Sequence, residues 1–329
     1  MRVLVIGNAA VDETLALADW PAPGVSVLAS PGGHDLGGKG ANQAAMLARC
    51  GVRVDLVTAI GSDDAATRIR ECLAVDGIAT PQLRLCEGPS DRSVILVSRD
   101  GENAIVTTTD CADRIDPGDV DRALTADHHA LLVQGNLSER VTEHALRKAK
   151  ARGLKTAFNP SPVRASFSGL LPLVDLLVVN AHEAHALSGV AGSPDAARAL
   201  LARGAKTAVI TLGAEGALSH TEEGVIDVPA KAVTVRDTAG AGDTFAGVLV
   251  AGWLERSRVT ASELERATSA AAITVGRPGT RSSFPTRDEL RALGRPSSGP
   301  RSTPDGRPGA PPGEGKKMID SGPPAKLAP

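Results

Sequence analysis

A chain of 329 residues with 42% hydrophobic side chains is long enough to bury one large α/β core or two smaller ones. Its formal charge, 36 basic minus 38 acidic side chains or −2, carries no global attraction to nucleic acid or to an anionic membrane. No apolar run reaches the roughly 20 residues of a membrane span, and Cys50, Cys72, Cys86 and Cys111 form no C-x-x-C pair, which points to reduced thiols and a cytoplasmic setting.

The opening MRVLVIG is too short for a signal sequence and reads as a first buried strand. Next comes a Pro- and Gly-bearing stretch with strand-like Val25 to Ala29, and then GGHDLGGKGANQAA. From Gly33 this satisfies G-x-x-x-x-G-K at Gly38 and Lys39, but Gly40 stands where a phosphate loop places Ser or Thr for magnesium. A phosphate loop also follows a buried strand directly, whereas Val25 to Ala29 lies several residues back. Gly37 to Gly40 therefore reads either as a loop that admits a small polar ligand to a helix N-terminus, with Lys39 and Asn42 facing it, or as a plain glycine turn with a solvated lysine. The following helix should stop at Gly51.

Beyond it, strand-like VDLVTAI, ALLVQG, TAFNP, DLLVVN and TAVITLG alternate with helical SDDAATRIRECLAVDG and ERVTEHALRKAKARG. Continuous Val, Ile and Leu in the strands predicts burial on both faces, and the alternation predicts a doubly wound, mostly parallel α/β sheet. Two stretches, about 12–36 and about 81–108, break the rhythm. The second contains SVILVSRDGENAIVTT, a hairpin with its turn at Asp100-Gly101, and together the two should form a small sheet that acts as a lid over the carboxyl ends of the strands. In NAHEAH, His182 and His185 stand three apart, which does not match the H-E-x-x-H zinc helix.

The strongest chemistry lies in KAVTVRDTAGAGDTFAGVLVAGWLE, where a strand-like run meets DTAGAGD and a long apolar helix starts at about Thr244. Gly240, Ala241 and Gly242 can aim backbone N–H groups at an anion. Asp243 in the first turn is either a helix cap or a base that takes a proton from an attacking hydroxyl. The last 36 residues, from Gly294, hold nine Pro and seven Gly and read as a disordered tail after a domain ending near Leu293, with Lys316 and Lys317 as solubilising charge.

GGKGANQA at 37–44 and DTAGAGDTFAG at 237–247 resemble the two signatures of the ribokinase-like (PfkB) carbohydrate kinases, and the likeness runs from Val3 to about Pro285. Intermediate stretches agree in order: GNAAVD at 7–12, GSDD at 61–64, DGEN at 100–103, NPSP at 159–162, NAHE at 180–183 and TLGAEG at 211–216. The resemblance implies an ATP-dependent kinase for a primary hydroxyl of a sugar-like molecule. It assigns Asp243 as the base and Gly240, Ala241 and Gly242 as the anion hole. Asp12, Gly38, Lys39 and Asn42 match sugar-binding positions; Thr211, Gly213 and Gly216 match the nucleotide stretch. Asn180 and Glu183 match an N-x-x-E motif for magnesium and phosphate placement. The carbonyls of Asp237, Ala239, Arg277 and Gly279, with Ser283, match a potassium site beside the anion hole.

Ribokinases proper usually carry Asn where Ala10 stands and Glu where Asn136 stands, and both positions touch sugar hydroxyls in the family. Each lost partner would leave a ribose hydroxyl unpaired at about 1 to 3 kcal/mol, so the pocket is open to another aldose or ketose, a sugar acid or a nucleoside as well as ribose. A non-catalytic sugar sensor on the same fold would not need the base, and a dinucleotide oxidoreductase would need a G-x-G-x-x-G turn that GNAAVDE lacks. A homodimer through the lid, whose strand edges need cover, is the expected assembly.

Overall fold

The computed structural model describes residues 1–99 and 103–294. The turn at Asp100-Gly101 and the Pro/Gly-rich segment from 295 onward lie outside them.

In chain order the first half runs β1 (Arg2–Ile6), β2 (Ala10–Leu17), β3 (Ala29–Gly37), α1 (Lys39–Arg49), β4 (Arg53–Ile60), α2 (Asp64–Val75), β5 (Ala79–Leu85), β6 (Arg92–Val97), β7 (Asn103–Thr107) and α3 (Pro117–Ala123). Then follow β8 (Ala130–Gln134), α4 (Glu139–Ala151), β9 (Lys155–Asn159), β10 (Leu176–Asn180), α5 (Ala181–Ser188), α6 (Ser193–Ala202), β11 (Thr207–Thr211), β12 (Ala217–Thr221) and β13 (Gly224–Val228). The helices α7 (Ala241–Arg256), α8 (Ala261–Val275) and α9 (Arg287–Leu293) complete the fold.

Nine strands form the main sheet in the order β13-β12-β11-β10-β9-β8-β1-β4-β5. All are parallel except β12 and β13, which add an antiparallel hairpin after β11. The doubly wound α/β expectation holds because β1, β4 and β8–β11 are apolar runs buried on both faces. One face packs Val3, Val5 and Leu132 against α1, α7 and α8; the other packs Leu4, Ile6 and Leu131 against α3 to α6. Helix α1 is buried from Gly40 to Ala48 because it lies between the sheet and α7.

A second sheet, ordered β3-β2-β6-β7, carries the stretches that broke the rhythm. Its boundary differs from the expectation: Ala79–Leu85 pairs in parallel with β4 in the main sheet, so the small sheet's second contribution begins at Arg92. Two other local readings are corrected. Val25 to Leu28 is not a strand; β3 instead runs from Ala29 through Pro31, Gly32 and Gly33, tolerable at a sheet edge where the pairing register with β2 also breaks. The glycine loop therefore does follow a strand directly, but a strand of the small sheet. Lys231 to Arg236, strand-like in sequence, makes no strand; the main sheet ends at β13, and Lys231, Ala232, Val233 and Val235 line a cavity instead. Among the described residues, no helix is long and apolar enough to cross a membrane.

Candidate active site

The carboxyl ends of β1, β8, β9 and β10 open into a cavity of about 510 Å³ roofed by β6 and β7. The glycine loop enters it because glycine alone fits. A Cβ on Gly38, whose φ is 87°, would sit 2.8 Å from the backbone of Asn8, Ala9 and Ala10, and one on Gly40 would sit 2.6 Å from the Gly7 carbonyl carbon. Close packing of α1 on β1 thus explains Gly40, and the Ser or Thr of a phosphate loop could not fit there.

Helix α7 begins at Ala241, three residues before the expected Thr244, with Gly240 as its N-cap at φ 75°. Asp243 is consequently in the first turn and is not the cap. Its direction is set by helix packing: Gly247 lets α7 approach α1 so closely that a Cβ there would lie 2.5 Å from Met46 Cβ. One turn earlier on each helix, Asp243 then faces Asn42. Asn42 Nδ2 donates to Asp243 Oδ2 at 2.9 Å, Gln43 Nε2 donates to Oδ1 at 3.0 Å, and Lys39 Nζ stands 3.8 Å from Oδ1. The two glycine-rich segments, about 200 residues apart, form one site.

Asp12, Gly38, Lys39, Asn42, Asn136, Gly240, Gly242 and Asp243 all line this cavity, as does Asn180. Three buried acceptors on its wall, Asp12 Oδ1, Asn42 Oδ1 and Asn136 Oδ1, have no hydrogen-bond partner among the described residues. Burial pushes the Asp12 carboxyl up to about 6; the hydroxyls of Thr280 and Ser93 pull it back in part, and the charges of Asp243 and Asp35 push it further up. Sequence reasoning passed over Asn8, Ser93, Ile95, Asn103 and Thr107. The last four sit at alternate positions of β6 and β7, so the two-residue period of those strands was the available signal.

A second cavity of about 570 Å³ lies beyond the start of α7, walled by Ala230, Val233, Val235, Phe245, Ala271 and Val275. Thr211, Gly213, Gly216 and Ala241 line it. Thr238 and Gly242 line both cavities, so the N-terminus of α7 is their common wall. A Cβ on Gly242 would meet nothing within 4 Å, which leaves a cradle for an anion at the start of the helix, where the Ala241 N–H already donates to the Thr238 carbonyl at 3.3 Å. Asn103 Nδ2 of the small sheet reaches across to Thr238 Oγ1 at 2.8 Å.

Behind the cradle, Asp237 Oδ1 accepts from Ala239 N–H at 2.8 Å and Oδ2 from Gly279 N–H at 3.0 Å, tying the 277–283 loop to α7. Arg281, nearly fully buried, holds that loop to the end of α2 through Asp76 and the Cys72 carbonyl. The carbonyl oxygens of Asp237, Ala239, Arg277 and Gly279 accept no hydrogen bond among the described residues, while Ser283 Oγ donates to the Thr280 carbonyl. Asn180 and Glu183 form a reciprocal cap on α5: Asn180 Oδ1 accepts from the Glu183 N–H and Glu183 Oε2 from the Asn180 N–H, at 2.8 and 2.9 Å. Glu183 is buried and is not part of either cavity wall. Among the described residues no cluster of three or more His, Cys, Asp or Glu could hold a metal by itself.

A polar cavity with a held carboxylate, joined through a helix N-terminus to an apolar cavity, is the arrangement of an enzyme that passes an anionic group between two ligands. Residues 2–287 match the pfkB family carbohydrate kinases. The chain belongs to this family. It is 31% identical over 301 residues to a ribokinase of Staphylococcus aureus, covering 89% of this chain and 99% of that one. It is also 31% identical over 303 residues to an ATP-dependent ribose-1-phosphate kinase of Halopiger xanaduensis, covering 89% and 98%. A ribokinase structure from Cryptococcus neoformans var. grubii in complex with ADP superposes with a TM-score of 0.78 at 29% identity, covering 88% of this chain and 98% of that one. The kinase is thus an ATP-dependent carbohydrate kinase, as its two signatures implied.

Proposed function

We propose that this kinase phosphorylates a primary hydroxyl of a neutral polyhydroxylated sugar. The observation that carries the reading is that Asp12, Asn42 and Asn136, each with a buried acceptor oxygen that has no partner among the described residues, line the same cavity as Asp243. Unpaired buried acceptors call for hydroxyl donors. Two carboxylates near them repel a sugar phosphate or sugar acid, and Lys39, the one cation lining the cavity among the described residues, already faces Asp243.

In this reading Asp12, Asn42 and Asn136 orient the sugar, and Asp243 accepts the proton of its attacking hydroxyl as the new oxygen–phosphorus bond forms. The N–H groups of Gly240, Ala241 and Gly242 stabilise charge on the transferred group. The apolar second cavity suits the base of ATP, with Thr211, Gly213 and Gly216 beside it. Bound ATP supplies the phosphoryl group, and its magnesium ion spreads the phosphate charge. A hard cation held largely by phosphates needs few protein ligands, and Asn180 and Glu183 would support it indirectly. The four unbonded carbonyls of Asp237, Ala239, Arg277 and Gly279, with Ser283, would suit potassium, checked by activity in potassium against sodium at equal ionic strength. The small sheet would act as a lid and, through its edges β3 and β7, as a homodimer contact in a cytoplasmic enzyme; the sedimentation mass measures this. The substrate reading is tested by ATP consumption over neutral pentoses and hexoses, deoxy sugars, sugar phosphates, sugar acids and nucleosides. Neutral sugars should lead; a sugar phosphate or acid at the head of the panel would overturn it.

A further inference from the structure

We propose that Gln43 is a positioning residue that orients the base, and that the Asn159 amide anchored on the Val178 carbonyl holds the donor end of Gln43 toward Asp243. This rests on Asp243 being the base. Gln43 is fully buried, and its amide makes three hydrogen bonds that use both of its N–H donors. Its Nε2 donates to Asp243 Oδ1 at 3.0 Å and to Asn159 Oδ1 at 2.8 Å, and its Oε1 accepts from Gln134 Nε2 at 2.9 Å. Asn159 Nδ2 in turn donates to the Val178 carbonyl at 2.8 Å.

Two acceptor-only groups fix which end of the amide faces which neighbour: the Asp243 carboxylate requires a donor, and the Val178 carbonyl imposes the same orientation through Asn159. A carbonyl oxygen only accepts, so Asn159 must turn its Nδ2 toward Val178 and its Oδ1 toward Gln43. Gln43 must then present Nε2 on that side, where its second hydrogen meets Asp243. The neighbouring Asn42 donates to the other carboxylate oxygen, so consecutive residues of α1 hold both oxygens and fix the plane of the carboxylate. Lys39, at 3.8 Å and part-exposed, adds charge without setting that plane. The amides lie between the apolar face of the sheet and α1 and α7, where Met or Leu would pack as well. Buried amides in such a place are costly, the more so here because Gln134 Oε1 has no partner among the described residues, and the group they serve is the carboxylate.

Gln43→Met keeps the bulk and removes the donor, and it should lower kcat by about 10- to 100-fold, the scale of one hydrogen bond to a charged group. KM for sugar and ATP should stay within about 2-fold, since a positioning effect acts on the reacting geometry. The decisive measurement is a double-mutant cycle with Asp243→Asn: with the base gone, Gln43→Met should cause no further loss. Unchanged kcat in Gln43→Met, or the same fractional loss with and without Asp243, would overturn the proposal and leave Gln43 a packing residue. If Gln43→Met does not fold, Gln134→Met carries the same cycle: a loss confined to the Asp243 background supports the relay, and an equal loss in both overturns it. Wild-type turnover in Asp243→Asn alone would instead remove the assignment of the base beneath it.

Discussion

The cavity around Asp12 and the cavity around Val233 share Thr238 and Gly242 as a wall, yet they are selective by different means. The first is lined by Asp12, Asn42 and Asn136, whose buried acceptors without partners among the described residues favour a ligand that brings hydroxyl donors. The second is walled by Ala, Val and Phe and discriminates through shape and buried area. Substitutions on the sugar side should therefore change which acceptor is used, by large factors for single atoms. Substitutions on the nucleotide side should change affinity gradually. In the proposed mechanism the shared wall belongs to neither regime: Gly242 would serve the transferred group.

The sharpest break of this comparison is Asp243→Asn, which should lower kcat by about 10² to 10⁴-fold while KM for ATP stays near wild type. Steady-state kinetics with ATP varied at saturating sugar measures both, and near-normal turnover would remove Asp243 from the chemistry.

Next in size are the two glycines of the wall, which should separate. Gly242→Ala meets no atom within 4 Å, so the folded state should hold its melting temperature while kcat falls by about 10²-fold because the methyl occupies the anion cradle. Gly240→Ala has φ 75° and would place Cβ 2.5 Å from the Phe284 ring, so its main effect should be a lowered melting temperature. Equal losses of stability in the two variants would mean that Gly242 is structural.

On the sugar side, Asp12→Asn should lower kcat/KM for the sugar by about 10- to 100-fold and leave the ATP dependence alone. The raised value of Asp12 also has a pH signature. Between the ordinary 3.8 and about 6 the folded chain holds a proton that the unfolded chain has released, so this group's contribution to stability falls as pH rises through that window. The ionised form is the better acceptor, so KM for the sugar should rise as pH falls below about 6, and Asp12→Asn should flatten that rise. A KM profile that is flat in the unaltered enzyme would refute the role of the charge.

The smallest expected effect is a change of preference. Ala10→Asn with Asn136→Glu should shift kcat/KM toward ribose, relative to the best neutral sugar, by about 10-fold, as one recovered hydrogen bond would. No shift would place the choice of sugar in the lid residues Ser93, Ile95, Asn103 and Thr107.

The sequence by itself determined the parallel sheet, because its strands are continuous apolar runs whose burial on both faces is a local property of composition. It also disclosed the two glycine signatures and Asp243, since a helix start rich in small residues is recognisable without knowing what it packs against. Only the tertiary structure decided what depends on partners distant in sequence. Leu83 and its neighbours pair with β4 in the main sheet, whereas Lys231 to Arg236, equally strand-like, stay out of it and line a cavity. Asp243 could be told from a cap only once Gly247 had brought α7 against α1. Gln43, Gln134 and Asn159 look like ordinary polar residues in three separate segments; a hydrogen bond's direction depends on both its ends, and those ends meet only in the folded chain.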